Sequence, residues 1–156
     1  MTKLYDVNGW LGEYEITITH KNGNVEVQRV KNRLTNAGLN MLRDALAGDV
    51  ADAEIKYLAL GTNDDPLDDT DTQLGTEIFR TSDISKVKPS TGKVQNTYIV
   101  LDAEAVGNIR EIGVFAGAAA GAGANTGIMV SRILWSRDKT ALESIQFVRI
   151  DTIGRA

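Results

Sequence analysis

Short alternating stretches, separated by turns of Gly, Asn and Asp, run through most of this chain, and only one stretch has a helical period. That pattern restricts the fold to a sheet-rich class with a single helix. Tyr14-Glu15-Ile16-Thr17-Ile18-Thr19 places Tyr14, Ile16 and Ile18 on one face. Lys21-Asn22-Gly23-Asn24 supplies a turn, because Asn and Gly tolerate positive φ. Val25 to Val30 alternates again, so Val25, Val27 and Val30 are expected near one face of an antiparallel ribbon. Ile55 to Leu60 ends at Gly61, and residues 77–80, 95–101, 109–115, 128–135 and 144–153 continue the series. In the last of these Ile145, Phe147 and Arg149 oppose Gln146, Val148 and Ile150. Apolar residues on both faces suit an inner strand, or one face buried by another subunit.

The helix is expected over about residues 35–47. Thr35 is a good N-cap, since its hydroxyl can accept from the free donors of the first turn. Leu34 and Leu39 stand at hydrophobic-staple positions. Leu39, Leu42 and Leu46 form a narrow stripe with Met41 and Ala45 beside it, and Gly48 is a C-cap candidate. A helix with so narrow an apolar stripe is expected to lie on a sheet. The fold class is therefore mainly β: an antiparallel β-sandwich or barrel-like domain with one packed α-helix. A chain of 156 residues makes about one domain, and no internal repeat is visible. Residues 1–30 are expected as a hairpin arm or extension and residues 31–156 as the main domain, in one compact unit.

The catalytic vocabulary is poor. With Cys 0 there is no disulfide framework, thiolate site or cysteine nucleophile, and with His 1 no two-histidine mechanism. A net charge of −4 disfavours a general binder of nucleic acid or anionic membrane. The start, Met1 to Asp6, lacks a charged leader followed by an apolar stretch.

Four groups invite a chemical reading. Residues 62–72 hold Asp64, Asp65, Asp68, Asp69 and Asp71, hard oxygens that could gather around Ca²⁺. Their spacing does not fit the oxygen ladder, central Gly and closing Glu of an EF-hand, so a solvated loop is expected. Nor does the sequence put two of these carboxylates in an apolar cleft, as glycoside hydrolysis requires. The Ala/Gly tract 116–127 leads into a strand rather than a helix, which argues for a mobile hairpin loop and against a dinucleotide fingerprint. His20 is turn-proximal and expected in solvent, not in a triad. Trp135 is expected in core or interface and Trp10 as an anchor for an N-terminal arm. No catalytic, cofactor-binding or metal-ligating residue is assigned, and no cofactor is expected.

Several stretches taken together carry a resemblance. They are Asn32-Arg33-Leu34-Thr35-Asn36-Ala37-Gly38-Leu39, Tyr57-Leu58-Ala59-Leu60-Gly61, Leu74 to Arg80, Gly107 to Phe115, and Ser136 to Thr140 leading to Leu142-Glu143-Ser144-Ile145. In that order and spacing, over roughly residues 30 to 153, the chain resembles small structural proteins of tailed bacteriophages, found among tail, baseplate and fibre genes. The resemblance implies a non-enzymatic, β-rich virion component of the tail, baseplate, fibre or neck. Such a protein is made in the host cytoplasm and acts as an oligomer beside other phage virion proteins. A trimer is favoured and a hexamer is possible, with no nucleic-acid or membrane partner. A receptor- or carbohydrate-binding module at a fibre tip is the alternative, and a small hydrolase using the Asp-rich loop ranks last. Glu77 with Arg80, and Arg110 with Glu111, bracket strands with opposite charges that could serve register or subunit contacts.

Overall fold

A computed structural model describes residues 9–154 of the chain. The opening segment, read above for a leader, lies outside the described residues. In chain order the elements are β1 (Gly9–His20), β2 (Val25–Lys31), α1 (Asn36–Leu46), β3 (Ile55–Gly61), β4 (Glu77–Ser82), β5 (Ser85–Val87), β6 (Lys93–Val100), β7 (Gly107–Ala116), β8 (Ile128–Lys139) and β9 (Glu143–Gly154). They make a five-stranded sheet, β2-β1-β9-β6-β5, and a four-stranded sheet, β4-β3-β7-β8, all pairs antiparallel. The two sheets face each other as a sandwich and do not close into a barrel.

Side-chain alternation decides the interior. Tyr14, Ile16 and Ile18 of β1 lie opposite Arg149, Phe147 and Ile145 of β9, and all six side chains are buried. Tyr98 and Val100 of β6 extend that layer. The facing layer is Leu58 and Leu60 of β3, Ile112 and Val114 of β7, and Val130, Ile133 and Trp135 of β8. Trp135 meets Phe147 edge-on, with ring centroids 5.7 Å apart.

The hairpin expected as an arm is instead built into the sandwich. β1 lies between β2 and β9, pairs along its whole length with β9, and supplies three core side chains, so among the described residues the hairpin is continuous with the rest of the sandwich. Val25 and Val27 are exposed, contrary to expectation. They sit on the outer face of an edge strand, while Glu26, Gln28 and Val30 share the inward phase with Ile18, Ile16 and Tyr14.

α1 begins as expected: Thr35 caps it, its hydroxyl accepting from Gly38 N–H at 3.0 Å, and Gly48 follows with φ +83°. The buried face differs from the leucine stripe. Gly38 and Met41 are buried, whereas Leu39 and Leu46 are exposed. The reason is close approach, since a Cβ on Gly38 would lie 2.8 Å from the Val130 carbonyl oxygen. Glycine lets the helix backbone rest directly on β8, and that contact, not leucine spacing, sets the rotation.

A second, smaller core lies on the outer side of the four-stranded sheet. Leu74, from the long β3–β4 loop, is buried against Ala59, Phe115 and Met129, with Tyr57 beside them. Gly113 makes room, since a Cβ there would stand 2.9 Å from Leu74 Cδ2.

Candidate functional site

Of the charged residues singled out in the sequence, Glu77, Arg80 and Glu111 are drawn inward, whereas Asp64, Asp65, Asp68 and Asp69 stay exposed. Five arginines organise four regions of the molecule.

Arg132 and Arg33 hold the Asp-rich loop. Arg132, almost wholly buried, donates to the Asp65 and Asn63 carbonyls and to Asp71 Oδ2 at 3.2 Å, and pairs with buried Glu111 at 3.4 Å. Arg33 pairs with Asp69 at 2.8 Å, and Asp69 O accepts from Asn36 N–H, which fastens the loop to the start of α1. The loop is therefore folded against the sheet, and guanidinium groups already neutralise Asp69 and Asp71. Asp68 accepts from the backbone and hydroxyl of Thr70, which hold its carboxyl below its ordinary range.

Arg80 holds the Ala/Gly tract. Its pair with Glu77 leaves both side chains nearly inaccessible, 3% and 2% exposed, and its plane lies 4.1 Å from the Phe115 ring centroid. It donates to Gly121 O, Thr126 O and Thr126 Oγ1, and Glu77 accepts from Asn125 N–H. The tract expected as a mobile hairpin loop is thus clamped at its middle and its far end. Arg110 and Glu111, adjacent in sequence, do not act together: Arg110 pairs with Asp138 and Glu111 with Arg132.

Arg137 joins the two sheets at one end of the sandwich by pairing with Glu26 of β2 at 3.0 Å and with Glu143 of β9. His20 Nε2 donates to Glu26 Oε2 at 2.6 Å. The potential ligand atoms of His20, Glu26 and Glu143 lie within 4.8 Å of one another, but Arg137 already supplies the positive charge between the two carboxylates. Burial would raise Glu143, yet hydrogen bonds from Arg137 and Thr140 N–H outweigh it and hold the carboxyl below its ordinary value near 4.5. A carboxylate with a depressed folded pKa stabilises above its unfolded pKa, and that stability disappears as pH falls through the folded value. Arg137→Gln is therefore expected to move the acid limb of unfolding to higher pH, below about pH 4.5 in the unaltered chain. Melting curves between pH 7 and pH 3 test this, and coincident acid limbs would refute it.

Arg149 is fully buried. It forms a two-point pair with Asp151, at 2.8 and 2.7 Å, and donates to Tyr14 Oη, Ser131 Oγ and Asn32 Oδ1. Trp10 Nε1 donates to Asp151 from the other side. Burial disfavours the charge, but Tyr14 and Asp151 more than offset this, and the guanidinium is held above its ordinary pKa. Register extends this row across the sheet, from Arg149 to Asn96 of β6 and Lys86 of β5. Lys86 Nζ donates to Asn96 Oδ1 and to Ile55 O of the opposite sheet. Asn96 is fully buried, and its Nδ2 has no partner among the described residues.

Beyond that polar row opens a cleft of about 440 Å³, bounded by α1, the start of β3 and the β5–β6 hairpin. Its walls are mainly apolar, from Met41, Leu42, Ile55, Val94, Ile153 and Trp10. Lys86, Lys88 and Lys93 stand around it. Lys86 is engaged by Asp83 and Glu54, whereas Lys88 and Lys93 have no carboxylate partner among the described residues.

The sequence reading missed these buried cations, although the signal was there. Arg149 is in phase with Ile145 and Phe147, and Arg132 interrupts an apolar run. Trp135 is in the core, as expected, with Nε1 donating to Gln28. Trp10 is tied to the sheet through Asp151.

The outer face of the five-stranded sheet is the other open surface. Register places Val27-Thr17-Gln146-Ile99 in one row, Arg29-Glu15-Val148-Thr97-Ser85 in the next, and Lys31-Glu13-Ile150-Gln95-Val87 in a third. Charges are confined to β1 and β2, and β9 and β6 present Val, Ile, Thr and Gln in these rows. Among the described residues no helix is long and apolar enough to cross a membrane. Compared with protein-family models, curated proteins and solved structures, the chain finds no match.

Proposed function

We propose that this chain is a non-enzymatic structural protein of a tailed-bacteriophage virion, an oligomeric assembly module of the tail, baseplate, fibre or neck. The observation that carries the reading is the outer face of the five-stranded sheet. A sheet face free of charge along β9 and, beyond Lys93 at its start, along β6, with half-exposed Val148, Ile150 and Ile99, is suited to burial by another protein surface. The buried charges support the same reading, because Arg80, Arg132, Arg137 and Arg149 are committed to internal pairs that stiffen loops and join sheets. Rigid loops on a sandwich favour assembly, since less order must be imposed when subunits meet.

A fibre-tip carbohydrate-binding module would stack sugars on exposed aromatic rings. Both tryptophans instead use their ring N–H internally, and Trp135 is buried. Solution mass by light scattering, with and without a chelator, tests the proposal. Three or six copies of the 16.9 kDa chain, unchanged by chelation, are expected. A folded monomer across the accessible concentration range would overturn self-assembly.

A further inference from the structure

The cleft beside α1 and the Asp-rich loop are chemically complementary. The cleft offers an apolar floor together with the ammonium groups of Lys88 and Lys93, which stand at it without a carboxylate partner among the described residues. Its occupant should bring an apolar side chain flanked by acceptors, preferably carboxylates. The β3–β4 loop has that composition in Asn63-Asp64-Asp65-Pro66-Leu67-Asp68, where half-buried Leu67 lies between exposed aspartates. Asp64, Asp65 and Asp68 have no basic partner among the described residues, whereas Asp69 and Asp71 are already paired. The loop is also held in shape. Arg132 grips its Asn63 and Asp65 carbonyls, Asn63 Oδ1 accepts from Asp65 N–H, and Leu74 anchors its far end. Presenting Leu67 therefore costs little ordering on docking.

We propose that the cleft receives the Asp64–Asp68 loop of a second copy of this chain, with Leu67 on the apolar floor and Asp64 and Asp65 facing Lys88 and Lys93. Donor loop and acceptor cleft are different surfaces, so the contact is head-to-tail: it closes into a ring, or extends as a filament if the rotation does not close. The inference rests on the assembly reading above and gives it a specific contact. A cavity of this size accommodates a small apolar segment, and the lysine–aspartate pairing fixes its direction and makes assembly sensitive to salt.

The test is a charge swap in the full chain. K88E/K93E and D64K/D65K alter exposed side chains, so each should keep the native circular dichroism and melting profile. Each double variant is expected to run at the mass of one chain. The single chain carrying all four substitutions is expected to regain the mass of the unaltered protein, and an equimolar mixture of the two double variants is expected to form mixed assemblies with an even number of copies, because each compatible contact then joins unlike chains. Oligomers that persist unchanged in both double variants would overturn this contact and leave the assembly reading standing. Failure of both the mixture and the fourfold variant to recover would also overturn it, because the charges would then not face each other. A monomeric unaltered chain would overturn the contact and the assembly reading together.

Discussion

Arg149→Met is expected to destabilise the fold by about 3–5 kcal/mol, the usual cost of removing one partner from a buried ion pair. The substitution keeps most of the side-chain volume and deletes the charge. Asp151 would keep the Trp10 N–H but lose both guanidinium bonds, and Tyr14 Oη, Ser131 Oγ and Asn32 Oδ1 would each lose a donor. The cost is dominated by the carboxylate left buried without a counter-charge, not by the removed contacts themselves. Adding Asp151→Leu to Arg149→Met is therefore expected to recover more than half of the loss, even though it removes a further polar group. A double-mutant cycle from denaturant unfolding at pH 7 measures this. A loss below about 1 kcal/mol in the single variant would show that the buried ion pair does not carry this network. The site is also sterically specified. A Cβ on Gly12 would lie 2.9 Å from Arg149 Nη2 and 2.4 Å from Asn32 Nδ2, so Gly12→Ala should perturb the same network.

What could be read from the sequence depended on whether local pattern or long-range contact decided the structure. Tyr14, Ile16 and Ile18 were assigned to one buried face by alternation alone, because a strand with one face in the core must keep a period of two. The inner place of β9 followed from apolar residues on both its faces. The Thr35 cap was legible because capping is a local bond between a side chain and a backbone three residues on. The rotation of α1 was not, since the touching of Gly38 and Val130 joins positions far apart in the chain. β5 was missed because Ser85-Lys86-Val87 is too short to show a period, and it exists through pairing with β6. The acidic loop and the Ala/Gly tract have the composition of solvated, mobile segments. Their order comes from Arg132 and Arg80, whose partners lie 41 to 69 positions away. The cleft was invisible for the same reason: its walls come from α1, β3, β5, β6 and both end strands, and no contiguous segment contains it.

The Asp-rich loop gives the clearest test of how order is imposed from a distance. Leu74→Ala removes the one side chain that plugs this loop into the Ala59-Phe115-Met129 cluster. A buried Leu→Ala change costs about 2–5 kcal/mol, depending on how far the site can collapse. Here the cavity opens beneath a loop outside the main sandwich, so the loss should fall first on local opening and only in part on global unfolding. Arg132 and Arg33 would still grip Asp71, Asp65 and Asp69, but partly solvated pairs do not replace an apolar anchor. The reporting amides are Asn36, whose N–H is held by Asp69 O, and Thr62, whose N–H is held by Thr76 O. Their hydrogen-exchange protection is expected to fall by roughly 30-fold or more, the equivalent of about 2 kcal/mol, while amides at the β1–β9 pairing change less. Unchanged protection at Asn36 and Thr62 would mean that the arginines, not Leu74, fix the loop. Self-association should weaken in the same variant although no residue of the proposed contact is altered, because an unanchored loop must be ordered again on docking.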